Sequence, residues 1–252
     1  MGVVIPVRPH LRRLPHFGSS RRSQGGNAAA MAGGKLCDED AVFIGNYPMT
    51  LCCWVRFTDK STAQTVMAIS DSGVSTIEFR LDITTSGHAQ FTRENGATES
   101  SATNTTDLSD GNWHLLCGVG TSITSVSIQV DDQTPDSDTT SVAPTDFDRV
   151  CIGDAASVLF AQDYKGDADQ AALFDIALTT AQKTWLYNSG SGRTYSELVS
   201  SGDADNPGTA NLVGFWSLNE DAPAGIGDDD SGTKDLTVTG TVTTTDGVTA
   251  DD

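Results

Sequence analysis

The sequence predicts an all-β fold: a two-sheet antiparallel β-sandwich with one or two short helices and an extended basic N-terminal arm. Three observations predict it. From Leu36 onward, short runs rich in Val, Ile, Thr and aromatic residues alternate with turn-forming links such as Asp71-Ser72-Gly73. The chain has 252 residues with 37% hydrophobic side chains, enough to fill one sandwich core. No apolar stretch approaches the roughly 20 residues that a membrane-crossing helix needs. The chain therefore reads as soluble, with no membrane span.

Residues 1–34 are rich in Pro, Arg, Gly and Ser and carry Arg8, Arg12, Arg13, Arg21 and Arg22 without a single acid. The sequence divides into this arm (1–34) and a folded domain (35–252). No apolar run of secretory length follows the first charges, so the segment does not read as a signal peptide. Three readings of it stay open. Translation could begin at Met31; the arginines could form a partner-binding arm laid across an acidic neighbour; or the segment could target an organelle, against which its prolines argue.

The strands follow in order. Met49 to Phe57 reads as an opening core strand carrying Trp54. Further strands are predicted over 64–70, 75–83, 89–94, 113–120, 124–130, 149–152 and 164–174. Thr179 followed by Gln182 is a capping box that opens a short helix ending near Gly190, and Thr194 followed by Glu197 repeats it for a second. Asn211 to Leu218 reads as a late strand. The Thr/Val-alternating tail from Lys234 to Thr245 suits an outer strand, and an exposed edge at Val238–Thr243 would favour multimers.

The net charge is −19, and the residues after the arm carry −24, the chain's −19 less the arm's +5. Such a body repels nucleic acid and anionic membrane. Its acids are mostly Asp (28, against 6 Glu), placed in loops, where a solvated acidic surface is the simplest account. The five cysteines are Cys37, Cys52, Cys53, Cys117 and Cys151. Neighbours in a strand point to opposite faces, so Cys52 and Cys53 cannot share one site. No C-x-x-C spacing exists for structural zinc. The cysteines are expected as small buried hydrophobes under reducing conditions, without a disulfide framework.

Several motifs in order resemble the laminin-G-like family of the concanavalin A-like lectin/glucanase jelly rolls. They are Trp113-His114, the hairpin Gln129-Val130-Asp131-Asp132, Ile152-Gly153, and the passage Phe174 to Gln182 ending in Leu186-Tyr187-Asn188-Ser189-Gly190. Asn211 to Glu220 adds a Phe215-Trp216 strand. The hairpin departs from the family pattern at Gln129 and Asp132, which stand where Tyr and Gly belong, so a binding role of that Tyr does not carry over. The resemblance implies a jelly roll over about residues 40–240, and it leaves the role open among glycan binding, protein binding and display on virus particles.

For chemistry the yield is thin. Sugar-cleaving relatives carry an E-x-D-x-x-E strand, and none of Glu39, Glu78, Glu94, Glu99, Glu197 or Glu220 begins one. Glu78 and Asp82 share a strand face with Arg80 between them, which reads as a cross-neutralised surface ladder. His10 and His16 lie in the arm, and His114 reads as structural, so no catalytic residue is assigned and the protein is not read as an enzyme. Calcium is the candidate cofactor. The resemblance implies rim sites in this fold, and Asp163, Asp167 and Asp169 around Gly166, with the Asp228-Asp229-Asp230 run, offer hard oxygen donors. Trp54, Trp113, Trp185 and Trp216 fall at core-like family positions, leaving Tyr47, Tyr164 and Tyr195 as the freer aromatics.

The expected role is a non-catalytic, lectin-like binding or display module on a virus particle of phage type, in a capsid or tail, that recognises surface glycans. Synthesis in a host cytoplasm and release at the virion surface would reconcile an adhesive fold with free cysteines. The alternative is a structural virion decoration protein, anchored on other virion subunits by its arm. A glycan-cleaving enzyme is the remote third reading.

Overall fold

The computed structural model describes residues 27–38, 47–155, 162–219, 225–232 and 234–248. Among these residues the chain forms fifteen strands and two α-helices. The first five strands are β1 (Ala28–Met31), β2 (Lys35–Asp38), β3 (Met49–Arg56), β4 (Gln64–Asp71) and β5 (Val74–Ile83). Then come β6 (Ala89–Asn95), β7 (Thr98–Thr103), β8 (His114–Ser122), β9 (Ser125–Val130), β10 (Asp136–Asp138), β11 (Arg149–Ile152) and β12 (Asp167–Phe174). Helices α1 (Thr180–Tyr187) and α2 (Tyr195–Ser200) precede β13 (Leu212–Trp216), β14 (Thr237–Thr239) and β15 (Val242–Thr245). No helix among the described residues is long and apolar enough to cross a membrane.

The strands make two antiparallel sheets, as the sequence predicts. Sheet A runs β10-β9-β8-β3-β12-β1-β15, with β13 also paired to β12. Sheet B runs β14-β2-β11-β4-β5-β6-β7. Period-2 alternation assigns the faces. In β3, Met49, Leu51, Cys53 and Val55 enter the core between the sheets, with Phe79, Leu81, Phe91, Ile128 and Ile152 among their neighbours. Cys52 and Trp54 point the other way, into a second apolar cluster that α1 and α2 cover with Trp185, Leu186 and Leu198. Cys52 and Cys53 thus lie on opposite faces, as adjacent strand residues must.

Both capping boxes form. Thr179 and Thr194 each accept from the N3 backbone N–H, and Gln182 and Glu197 accept the reciprocal bonds at 2.9 and 2.8 Å. Asn188 closes α1 in the left-handed conformation. At the far edge of sheet B, Arg93 points inward and is fully buried. It donates to Asp138 at 2.7 Å and to the Ile123 carbonyl at 3.1 Å, so it ties sheet B to the β9–β10 side of sheet A.

Three expectations are corrected. The sandwich begins within the span assigned to the arm, because β1 lies in sheet A between β12 and β15, with Met31 only 2% exposed. Ala28 and Ala29 are fully buried there, and Gly34, before β2, packs so closely that a Cβ there would meet the Thr241 carbonyl oxygen at 2.4 Å. The five arm arginines lie outside the described residues. Cys37 and Cys151 form a disulfide. They stand opposite each other on β2 and β11 with Cα atoms 4.2 Å apart, a pairing that strand order creates and spacing along the chain cannot reveal. Cys52, Cys53 and Cys117 are free and buried. The tail does not make one edge strand: it turns at Gly240 (φ +80°), so β14 joins sheet B and β15 joins sheet A. Just after β9, Asp131 takes the left-handed conformation (φ 53°).

Candidate functional site

One end of sheet A gathers aromatic rings and carboxylates from four strands and a helix. Register builds it. His114 at the start of β8 pairs with Val55, and Arg56 at the end of β3 pairs with Asp167 at the start of β12. Asp131, just past β9, accepts the Leu115 N–H at 2.8 Å, and its own N–H bonds the Leu115 carbonyl at 2.9 Å. The turn residue is thereby fixed by its neighbour strand.

The polar side is organised around His114. Its Nδ1 lies 2.9 Å from Asp131 Oδ2 and its Nε2 lies 3.2 Å from Asp110 Oδ1. Both contacts are to carboxylates, which suits an imidazolium donating from both nitrogens. The Asp131 hydrogen bond is the main cause that raises the His114 pKa, against the opposing effect of burial. Asp110 is held below the usual carboxylate range, first by the Asn112 backbone N–H. Carboxylates thus hold the ring at both of its nitrogens.

The apolar side carries two half-buried rings. Tyr187, at the end of α1, stacks on Trp54 with centroids 5.6 Å apart and planes inclined by 19°. Trp113 holds the Arg56 guanidinium 4.8 Å from its ring centroid, and Arg56 in turn bonds Asp167 at 2.8 Å. The Trp113 indole N–H is buried without a hydrogen-bond partner. Asp110, Asn112 and Asp132 are exposed, and Asp132 lies near enough to Tyr187 for its charge to act on the phenol. Burial, with the nearby charges of Asp131 and Asp132, raises the Tyr187 pKa and keeps the phenol neutral. Flat apolar faces beside amide and carboxylate groups suit an uncharged ligand rich in hydroxyls.

The expected free aromatics lie elsewhere. Tyr164 is fully buried and bonds the Arg56 and Asp167 carbonyls at 3.2 and 3.1 Å. Tyr47 donates to the Val142 carbonyl at 3.0 Å, and Tyr195 packs on Phe215. Trp113, expected in the core, is half-buried, whereas Trp54, Trp185 and Trp216 are buried as expected. The Trp113-His114 motif and the end of the Leu186-Tyr187 passage were thus visible in the sequence, but their meeting at one corner depends on the pairing of β3, β8 and β9.

The candidate calcium ligands do not converge. Asp167 is engaged by Arg56, and Asp169 is 1% exposed and accepts the Val248 N–H at 2.8 Å. Burial pushes the Asp169 carboxyl well above the usual range, which favours a neutral acid over a metal ligand. Asp163 instead sits on an isolated bridge to Thr65. In the Asp228–Asp230 run, Asp229 accepts the Phe215 and Lys234 N–H groups and Asp230 the Ser217 N–H, so these acids tie down β13. Among the described residues no group of three or more His, Cys, Asp or Glu side chains is placed to hold a metal ion. These donors do not fit calcium.

The ladder on β5 is ionic, as expected, but buried rather than at the surface. Arg80 donates to Glu78, to Asp82 at 3.2 Å, to Glu94 at 3.1 Å and to Glu99 at 3.4 Å. A guanidinium thus fills the space between Glu78 and Asp82, where a scissile sugar would have to sit.

The sandwich and its helix-covered sheet define a jelly-roll domain. It belongs to the concanavalin A-like lectin/glucanase superfamily, in its laminin-G branch, whose sequence pattern matches residues 30–182. The fold is similar to that of a putative carbohydrate-binding protein from Bacteroides ovatus, with a TM-score of 0.62 and 15% identity over 88% of this chain and 60% of that one. It is similar also to a heptameric pentraxin from Limulus polyphemus, with a TM-score of 0.57 and 12% identity over 89% and 96% of the two chains. NanB sialidase from Streptococcus pneumoniae gives a TM-score of 0.55 and 14% identity over 71% of this chain and 30% of the enzyme. This chain therefore spans less than two thirds of the Bacteroides and sialidase chains. Among curated proteins none matches the sequence.

Proposed function

We propose that this protein is a non-catalytic glycan-binding module that takes its ligand at the Trp113–Tyr187 corner. The observation that carries the reading is the pair of half-buried rings beside Asp110, Asn112 and Asp132. A ring face packs against the C–H face of a sugar, and the exposed amide and carboxylates bond its hydroxyls. Membership of a lectin superfamily and likeness to a carbohydrate-binding fold support the same class. The site contains a clamped histidine and lacks a free acid–base pair, which favours binding over cleavage. Display on a virus particle or phage tail is the setting we assign, since many copies would multiply a weak site by avidity. The Cys37–Cys151 bond suits oxidising surroundings outside a cell.

A glycan array screened with the full chain, in calcium and in EDTA, tests the reading. The expected result is a related set of sugars bound equally in both buffers, with about tenfold weaker binding by Trp113→Ala or Tyr187→Ala, in line with the loss of one ring contact. A blank array, or binding that neither substitution weakens, would overturn the assignment of this corner.

A further inference from the structure

The outer face of sheet A holds a pair of thiols for which glycan binding has no use. Cys52 on β3 stands directly opposite Cys117 on β8, and the register runs unbroken through them. Both side chains lie on the face that α1 and α2 cover, at 2% and 1% exposure. Cys53, one residue along, points into the core between the sheets and faces away from both.

Backbone hydrogen bonding decides what kind of pair this is. The Leu115 carbonyl accepts the Asp131 N–H, so Leu115 turns its backbone polar groups toward the β9 side. Cys117, two residues on in the same strand and paired with Gln129 of β9, turns its own the same way and away from β3. Cys52 and Cys117 are therefore a non-hydrogen-bonded pair, the type whose Cα atoms approach to about 4.5 Å and whose side chains come closest. Sheet B carries a pair with the same close approach. Cys37 and Cys151 face each other on β2 and β11 with Cα atoms 4.2 Å apart, and those two are bonded. The strands at Cys52 and Cys117 are thus already spaced for a disulfide.

The two pairs differ in what lies over them. Cys37 and Cys151 share a small cluster with Ala68 alone, whereas Cys52 and Cys117 belong to the cluster under Trp185 and Leu186 of α1. Burial pushes the Cys52 thiol well above its usual range and the Cys117 contact adds to this, while the nearby Lys183 charge opposes it. A protonated thiol is a poor nucleophile, so this cover slows oxidation and lets the pair rest as thiols. A small cavity between the helices and the sheet is lined by Cys52, Trp54, Leu115, Leu186 and Arg193. It gives a molecule the size of water or peroxide a place beside Cys52.

We propose that Cys52 and Cys117 are a second, oxidation-responsive disulfide site, open at rest and closed by a peroxide. The Cys52 sulfur attacks one peroxide oxygen, the O–O bond breaks, and water leaves behind a sulfenic acid. Cys117 then attacks the Cys52 sulfur, the S–S bond forms as the S–O bond breaks, and a second water departs. The protein loses two hydrogens, and hydrogen peroxide is reduced to two waters. The new bond locks β3 to β8, the strands that carry Trp54, Arg56 and His114.

Hydrogen peroxide added to the folded full chain, followed by denaturation, thiol counting and peptide mapping, tests the site. The expected result is a fall from three thiols to one, with Cys53 the one that remains. The fragments carrying Cys52 and Cys117 should be linked and two hydrogens lighter. Treated wild type should melt about 5–10 °C higher than untreated protein. Cys53→Ala should close the bond as wild type does. Cys52→Ala and Cys117→Ala should each keep two thiols and gain no melting temperature. The wild-type count decides the matter even where an alanine variant fails to fold. Three thiols surviving peroxide, a bond through Cys53, or covalent dimers would each overturn the proposal.

Discussion

His114 and Asp131 hold each other at 2.9 Å across the end of the β8–β9 pair, while Asp131 also caps the Leu115 N–H. One carboxylate thus fixes both the ring and the strand that carries it. Because the His114 pKa is raised in the folded state, its contribution to stability is full below the unfolded pKa of about 6.5 and is lost as pH rises through the folded value.

Asp131→Asn isolates that contact, since Asn tolerates the left-handed backbone at this position. The expected outcome is a His114 pKa that falls in an NMR titration. Stability near pH 5.5 should fall by about 1 kcal/mol, a figure limited by the partial exposure of both groups. An unchanged His114 pKa would refute the role given to Asp131.

Asp169 gives the same sign in a lower pH window. Its carboxyl is buried and its pKa is raised, so the folded protein retains a proton that the unfolded chain releases. Stability from this site is therefore lost as pH climbs above the ordinary carboxylate range. Asp169→Asn keeps an acceptor for Val248 and removes the charge. The variant should unfold at higher urea than wild type at pH 7.5 and at similar urea at pH 3.5. A lower midpoint at pH 7.5 would refute the account.

The Cys37–Cys151 bond closes a separation of 114 residues between the β14 side of sheet B and its centre. Cys37→Ser, Cys151→Ser or reduction should each lower stability by about 2–5 kcal/mol. Thiol titration of the denatured, unreduced protein should count three groups, for Cys52, Cys53 and Cys117. Five groups would show that the bond does not form.

A chain beginning at Met31 would lack Ala28 to Ala30, which pair with both β12 and β15. We expect its melting temperature to drop by about 10 °C, as a loss of several kcal/mol does in a domain this size. Equal melting temperatures would show that β1 adds nothing to the fold.

Much of the fold was legible because β5 alternates Ile77, Phe79, Leu81 and Ile83 with polar residues, β3 is a run of apolar residues around Trp54, and both helices announce themselves with capping boxes. What escaped the sequence reading lacks such a pattern. In β7, Thr-Glu-Ser-Ser-Ala-Thr buries only Ala102, so it looks like a loop until β6 supplies its hydrogen bonds. In β1, three alanines beside glycines look like a linker. The corner was harder still. Trp113 and Tyr187 are 74 positions apart in sequence, and only the order of the strands, with α1 laid on sheet A, packs both against one apolar cluster.

The pairing of Ala28 with Thr245 makes β1 and β15 a clasp: the first and last described strands fasten each other within sheet A. The chain therefore enters β1 and leaves β15 side by side. A short linker joining them would give a chain that could be reopened at an exposed turn such as Asn95-Gly96 without disturbing either sheet. By the same geometry, the segments before Asn27 and after Val248 both spring from one edge of sheet A.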